Sequence, residues 1–130
     1  MSHFSTVKTQ LRQLEPLRQA LNDLGFEPLD GKSLIRGFRG QTVLTDLSIP
    51  MEKGGDIGFR WNQTTSSYEL VTDLDLWEHS LPVERFLSKL TQRYALNTVL
   101  SATAEEGFQV SEQVNNHDGS IELVVTRWDP

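Results

Sequence analysis

The stretch that decides the fold runs from Pro82 to Trp128, PVERFLSKLTQRYALNTVLSATAEEGFQVSEQVNNHDGSIELVVTRW. Its first half carries apolar side chains at helical spacing, and Gly107 predicts the end of that helix. Its second half holds two strand-like runs, Phe108–Val110 and Ile121–Trp128, on either side of a turn rich in Asn and Gly. The stretch therefore predicts one long helix followed by one β-hairpin.

The apolar face of this predicted helix changes direction halfway along. The residues that share a face in its first half are Val83, Phe86, Leu87, Leu90 and Tyr94. Leu96 and Val99 are rotated around the helix axis relative to that face. A long helix that crosses a twisted sheet meets different surfaces at its two ends, and we favour this explanation. A bend near Ala95 or a contact between two copies of the chain would also produce the shift.

The sequence before this stretch predicts a second helix and several strands. The helix has leucines at steps of three and four and stops at Gly25; these leucines are Leu14, Leu17, Leu21 and Leu24. Asp30-Gly31 predicts a turn between two short strands. The predicted strands are Ser2–Gln10, Phe26–Leu29, Leu34–Phe38, Thr42–Ile49, Asp56–Trp61 and Tyr68–Asp73.

These elements together predict an α+β fold in a single domain that spans residues 1–130. We expect an antiparallel sheet of about five to seven strands, because short strands and turns alternate along the chain. Each helix has one leucine-rich face, so we expect both helices to pack on one face of that sheet, with no room left for a reaction centre.

Composition excludes several classes of function. The chain carries 12 Lys and Arg against 18 Asp and Glu, a net charge of −6, without the basic stripe that nucleic-acid binding requires. No cysteine is present, so disulfides, thiolate catalysis and cysteine-ligated metals are excluded. No apolar run approaches the roughly 20 residues that span a bilayer. We therefore expect no nucleic-acid partner, no membrane insertion and a cytoplasmic location.

The titratable residues do not form a recognisable catalytic or metal-binding motif. The three histidines are scattered and lack the spacing of a metal pair, so we predict no metal, no cofactor and no catalytic residue. Asp73, Asp75 and His79 are close enough in sequence to support a minor hypothesis of a hydrolase or isomerase. Arg36 and Arg39 flank a glycine turn and predict a weak anion-binding spot.

The three tryptophans are the best candidates for a binding surface. Tryptophan buries a large area at low entropic cost and is enriched where proteins meet. We predict a partner-binding patch that includes Trp61, Trp77 and Trp128, with Arg127 beside the last of them. The alternative is that two of the three tryptophans close the ends of the sheet.

Short segments spread over the chain carry a family resemblance. They are Met1–Ser5 with Lys8–Gln10, Arg36-Gly37 with Gly40–Thr42, Asp56–Phe59 with Trp61-Asn62, Tyr68–Val71, Val83–Phe86 with Gln92–Ala95, and Asp118–Ile121 with Arg127-Trp128. In this combination the chain resembles the hypothetical plastid reading frame thirty-five family, a domain of unknown function from cyanobacteria and algal plastids. The resemblance implies a photosynthetic cell, a cytosolic or stromal setting, and a redox or assembly component as partner. It implies no catalytic or ligand-binding residue.

We therefore expect a non-enzymatic accessory or assembly factor that binds a protein partner through exposed aromatic residues and a sheet edge. The alternative is a small-ligand or cofactor-binding module that uses a pocket between the sheet and the helices. The sequence is also compatible with assembly of the chain into a homo-oligomer.

Overall fold

The computed structural model describes residues 4–52, 55–77, 79–105, 108–116 and 119–127, with the backbone alone at 108–112, 114 and 124–127. The elements are β1 (Phe4–Lys8), α1 (Leu14–Asp23), β2 (Leu29–Arg36), β3 (Thr42–Ile49), β4 (Ile57–Asn62), β5 (Ser67–Asp73), α2 (Val83–Glu105), β6 (Phe108–Asn115) and β7 (Ile121–Arg127). The predicted α+β fold is confirmed.

The strands form two antiparallel sheets. The larger sheet has five strands in the order β1-β5-β4-β3-β2, and β6 and β7 pair in a separate hairpin. In the larger sheet Phe59 of β4 lies opposite Leu70 of β5 on one side and Leu47 of β3 on the other. The order places β1 and β2 at the two edges of the sheet, so each of them pairs with one neighbouring strand of that sheet.

One apolar core joins the larger sheet to both helices. The sheet contributes one face, and the helices contribute their leucine-rich stripes; all of these side chains belong to one buried cluster. Its members include Leu47, Ile49, Ile57, Phe59 and Leu70 from the sheet, Leu17, Ala20 and Leu21 from α1, and Phe86 and Leu90 from α2. The prediction that both helices pack on the same face of the sheet is confirmed.

The second half of α2 packs against the hairpin. Leu96 is buried but lies outside the main core cluster. Together with Val99 it lines a small depression, of about 250 Å³, whose other wall includes Ile121 and Leu123 of β7. The shift in the apolar face of α2 therefore reflects a second β-structure, and not the twist of a single sheet.

The region predicted as a turn at Asp30-Gly31 lies inside a strand. Asp30 pairs with Leu47 and Ser33 pairs with Thr45, so three steps along β2 match two along β3 and create a bulge. Gly31 absorbs the bulge with φ of 82°, a left-handed conformation that glycine adopts without steric cost. The predicted turn and the separate short strands around it were wrong, because the glycine bends one strand and does not reverse the chain.

The N-terminal end of α1 is held by a side chain from α2. The hydroxyl oxygen of Tyr94 accepts hydrogen bonds from the backbone N–H groups of Arg12, at 3.0 Å, and Gln13, at 2.9 Å. Gln13 immediately precedes the helix and its own side chain makes no capping bond. Tyr94 therefore supplies, from 81 residues away, the acceptor that a capping side chain would otherwise provide.

The C-terminal end of α1 is held from α2 as well. Asp23 accepts hydrogen bonds from Arg93 Nε at 2.8 Å and from Asn97 Nδ2 at 3.1 Å. Burial alone would raise the pKa of Asp23, but the bonds from Arg93 and Asn97 and the nearby positive charge outweigh it and lower the pKa below its ordinary value. The two helices are thus joined by polar contacts at both ends of α1.

A buried carboxylate organises one end of the sheet. Asp56 is 4% exposed at its side chain and forms an ion pair with Arg36. It accepts bonds from the backbone N–H, Nε and Nη2 of Arg36 and from the backbone N–H of Met51, all at 2.8–2.9 Å. Burial acts to raise the pKa of Asp56, but the bonds from Arg36 and Met51 prevail and lower it from 3.8.

A second buried carboxylate draws the two edges of the sheet together at this end. Asp73, at the end of β5, accepts a bond from the backbone N–H of Phe38, in the turn after β2, at 3.0 Å. Phe4 of β1 covers the same turn, since a methyl group added at Gly37 would lie 2.6 Å from its ring. The turn that follows β2 therefore touches both β1 and β5, although β2 is at the far edge.

Replacing Tyr94 with Phe should lower the free energy of unfolding by about 1–2 kcal/mol, because two backbone donors at the start of α1 lose their acceptor. Chemical denaturation at pH 7 measures the change. Tyr68→Phe is the matched control, since the Tyr68 hydroxyl makes no hydrogen bond within the described residues. Equal losses in the two variants would contradict the capping role of Tyr94.

Replacing Asp56 with Asn should destabilise the protein at pH 7 by about 2 kcal/mol, because the amide cannot accept all the bonds that the carboxylate receives. The folded pKa of Asp56 is lowered, so its contribution is complete above the unfolded pKa of 3.8 and is lost as the pH falls through the lower folded value. The difference in unfolding free energy between wild type and Asp56→Asn should therefore shrink below pH 3.8. A constant difference from pH 7 downward would be inconsistent with the assignment.

Candidate functional site

Three large apolar side chains lie exposed near the β2 edge of the sheet. Leu34 of β2 and Leu44 of β3 are directly paired across the strands and are 60% and 50% exposed. Trp61 of β4 is 38% exposed, and it lines one depression with Leu44, of about 360 Å³. We call Leu34, Leu44 and Trp61 the edge patch.

The alternation of side chains along the strands exposes the two leucines. Successive side chains of a strand point to opposite faces. Ile35 is completely buried, so its neighbour Leu34 must face outward. Leu44 is Leu34's direct cross-strand partner and projects from the same face. The exposure of Leu34 and Leu44 thus follows from two strands that each carry adjacent apolar residues, of which only one in each pair faces the interior.

Trp61 is fixed in place by its neighbours. Its backbone N–H donates to Asp46 Oδ2 at 2.7 Å. Its ring meets Tyr68 edge to face, with centroids 5.1 Å apart and planes at 70°. A tryptophan that is already ordered loses little conformational entropy when a partner covers it.

The edge patch lies in a part of the sequence that is locally basic. Residues 31–45 contain Lys32, Arg36 and Arg39 and no acidic residue, in a chain of net charge −6. Lys32 and Arg39 are exposed, and within the described residues neither forms an ion pair. The Arg39 guanidinium lies 5.1 Å from the centre of the Phe38 ring.

Arg36, one half of the predicted anion-binding spot, is engaged within the chain. Its Nε and Nη2 atoms bond Asp56, and Nη2 also donates to the backbone oxygen of Met51 at 3.0 Å. The bonds and charge of Asp56 raise the pKa of Arg36 above its ordinary value. Arg36 thus acts structurally on Asp56, whereas Arg39 remains exposed; anion binding at this pair stays a prediction.

Trp77, another of the predicted partner-binding residues, packs against the core. Trp77 is half-buried, donates from Nε1 to the backbone oxygen of Leu81 at 2.8 Å, and packs on Phe86 with centroids 5.5 Å apart. This is the behaviour expected of a tryptophan that closes one end of the core. Trp128 lies outside the described residues, as does the side chain of Arg127.

The residues of the minor hydrolase hypothesis have structural partners. The Asp73 carboxylate accepts the backbone N–H groups of Phe38 and Asp75. His79 packs among Phe26, Trp77 and Phe86, with ring centroids 5.5–6.0 Å away, and its Nδ1 accepts the backbone N–H of Leu81 at 3.1 Å. Across the part of the chain that the structure covers, no three His, Asp or Glu side chains come together as a metal site.

The depressions of the surface lie at the margins of the fold. The largest described, of about 660 Å³, runs between the end of β1 and α2. Another, of about 570 Å³, lies between the end of α1 and the loop after β3, near Phe26 and Met51. Between sheet and helices, by contrast, Leu21, Phe59 and Phe86 are almost completely buried and belong to one core cluster.

Sequence reasoning identified Trp61 but missed both leucines. Leu34-Ile35 and Val43-Leu44 each place apolar residues next to one another in a predicted strand. Such a pair signals either a strand covered on both faces or an exposed apolar side chain. That signal was available, but it could not say which of the two applied.

The described helices include none that is long and apolar enough to cross a membrane.

Comparison with known proteins gives full-length relatives. The chain is 40% identical over 130 residues to "Uncharacterized protein ycf35" of Guillardia theta, with all of both chains covered. It is 38% identical over 129 residues to the protein of the same name from Pyropia yezoensis, with 99% of each covered. The corresponding protein of Cyanophora paradoxa is 39% identical over 128 residues, with 98% of each covered.

No solved structure matches the chain. The family described as "Protein of unknown function (DUF1257)" matches residues 20–124, which include α2, the strands β2 to β6, the end of α1 and the start of β7. The resemblance to the plastid reading frame thirty-five family is confirmed by the relatives. The chain therefore belongs to the DUF1257 family, together with the ycf35 proteins.

Proposed function

We propose that the chain is a non-enzymatic accessory or assembly factor of photosynthetic cells, and that it binds a protein partner through the edge patch. The proposal rests on one observation, the concentration of exposed apolar side chains on three neighbouring strands of the sheet. Four of the six large exposed hydrophobic residues in the described ranges belong to β2, β3 and β4: Leu29, Leu34, Leu44 and Trp61.

The edge patch has the composition of a binding surface. Fully burying a leucine that is exposed stabilises a complex by about 1.5–3 kcal/mol before the costs of association. Tryptophan is among the residues whose truncation most weakens protein interfaces. Leu44 links the other two residues of the edge patch, since it pairs with Leu34 across the strands and lines one depression with Trp61.

The β2 edge adds a second means of attachment. An exposed strand at the edge of a sheet presents backbone groups that another chain can pair with. The first part of β2 is protected by its bulge and by Lys32, two devices that discourage edge pairing. The later part has no bulge, but Asp56 already bonds the backbone N–H and carbonyl of Arg36, so the stretch open to a partner strand is centred on Leu34 and ends before Arg36.

The alternative, a small-ligand module between sheet and helices, has less support. That space is occupied by the side chains of the core, among them Leu17, Phe59 and Leu90, all completely buried. The surface depressions lie elsewhere, beside the sheet edges and helix ends. A protein partner, by contrast, would contact the exposed residues of the edge patch and would require no rearrangement of the core side chains.

For the partner we propose a redox or assembly component, and for the compartment the cytoplasm or the plastid stroma. Both proposals rest on the kinship with the ycf35 proteins, which occur in Guillardia theta, Pyropia yezoensis and Cyanophora paradoxa.

A photo-crosslinking amino acid at position 34 should form a discrete adduct with one protein in the native cell. The same amino acid at position 74 is the matched control, because Leu74 is also exposed, at 42%, but lies outside the edge patch. Adding Trp61→Ala to the position-34 protein should reduce the adduct by about 30-fold, the equivalent of a 2 kcal/mol interface residue.

Three results would contradict the proposal. They are the same adducts from positions 34 and 74, no adduct from position 34 while the protein is folded and expressed, and an adduct that Trp61→Ala leaves undiminished. Circular dichroism of the purified variants verifies that each is folded.

A further inference from the structure

The edge of the sheet opposite the edge patch carries a second surface feature. β1 is the outermost strand on that side, and within the described residues its outer edge pairs with no other strand. A channel of about 660 Å³ runs between its C-terminal end and α2, a size typical of ligand and peptide sites. An open strand beside a helix is an arrangement that accommodates an added peptide strand.

Most of the described residues that line the channel carry polar groups, although more of the lining surface is apolar, and none of these residues is a carboxylate. Its residues are Lys8, Thr9, Gln10, Leu87, Ser88, Thr91, Gln92 and Ala95. Five of these eight carry hydroxyl or amide groups, which bond both to a peptide backbone and to polar side chains. The one charged residue of the lining is a lysine, so the channel itself favours a negative occupant.

The surroundings of the channel strengthen this charge preference. Arg85 and Lys89 share a face of α2 with Ser88 and Gln92, at the i, i+3, i+4 and i+7 positions. Both are exposed, and neither forms an ion pair within the described residues. Within the described residues, Lys8 of the lining and Arg85 and Lys89 of the first turns of α2 are exposed cations, and Glu84 in the same turns is an exposed anion.

An apolar depression adjoins the channel along α2. Gln92 and Ala95 line both the channel and the neighbouring depression, of about 250 Å³, between α2 and β7. Leu96, Val99 and Leu123 supply the apolar lining of that depression. A peptide that follows α2 from the channel would therefore place its next side chain in an apolar site.

We propose that this channel binds an extended acidic segment of a partner protein, which adds to β1 as a strand and seats one large apolar side chain between α2 and β7. The site is separate from the edge patch, because β1 and β2 are the opposite edges of the sheet. A factor with both edges in use would hold two segments of its partners at once.

A second copy of the chain is a poorer occupant than an acidic peptide. Residues 1–14 contain Lys8 and Arg12 and no acidic residue. The β1 strand of another copy would bring only cations to a channel that is itself lined by a lysine, so it lacks the complementary charge that an acidic segment offers. The charge of the channel thus selects against self-association.

The test is a selection from a random heptapeptide library displayed on phage, with the full chain as target. Selected peptides should be enriched in Asp and Glu and should carry one large apolar residue. Synthetic versions of the selected peptides are then titrated with the full chain, and fluorescence anisotropy reports their binding.

Thr91→Trp, which fills the channel, should weaken peptide binding at least tenfold. Thr98→Trp, two turns further along α2 and outside the channel lining, should leave binding unchanged, as should Leu34→Ser in the edge patch.

Lys89→Glu keeps the proposal testable if Thr91→Trp does not fold. It reverses an exposed charge and should weaken binding about tenfold at low salt and less at high salt, because screening removes the contribution. The proposal is overturned if no peptide is selected, if the selected peptides are neutral or basic, or if neither channel variant weakens binding. Loss of binding with Leu34→Ser would assign the peptides to the edge patch and overturn it as well.

Discussion

One helix has to bury two apolar faces that point in different directions, and the rest of the structure depends on how it does so. The first half of α2 places Phe86 and Leu90 on the larger sheet together with α1. The second half turns Leu96 toward the β6–β7 hairpin. A hairpin alone is at best marginally stable in water, so its attachment to α2 is what gives it a defined place. α2 is therefore both the cover of the core and the support of the hairpin.

Because of this arrangement, the candidate binding surfaces lie at the edges of the sheet. Both helices occupy the same face, and the side chains between them and the sheet are tightly buried. The remaining candidate surfaces lie where the sheet ends: an apolar and locally basic surface along β2, and the channel beside β1, which a lysine lines. Both suit a protein that is recognised by other proteins. The two buried carboxylates, Asp56 and Asp73, are engaged in holding loops at one end of the fold.

The sequence predicted the parts of the fold that depend on periodicity. The leucine stripe of α1, the Val83–Tyr94 face of α2 and the closing hairpin were all legible, because burial imposes a repeat on the residues that make it. The bulge at Gly31 was not, since the same Asp-Gly pair marks turns and bulges alike.

Contacts between residues that are distant in sequence could not be predicted either. Nothing in the local sequence tells that Tyr94 caps a helix 81 residues earlier or that Arg36 pairs with Asp56. For the candidate site, Trp61 could be singled out by its residue type. Leu34 and Leu44 could not, because their exposure depends on which face of β2 and β3 is buried.

Native-state amide hydrogen exchange tests the dual role of α2 most directly. The amides of β4, β5 and the Phe86–Tyr94 part of α2 should exchange only through global unfolding, since they surround the common core. The amides of β6 and β7 should exchange through a separate opening of lower free energy that leaves the core protected. Hairpin amides that exchange with the same free energy and the same denaturant dependence as those of β4 and β5 would show one indivisible unit, and would contradict the account.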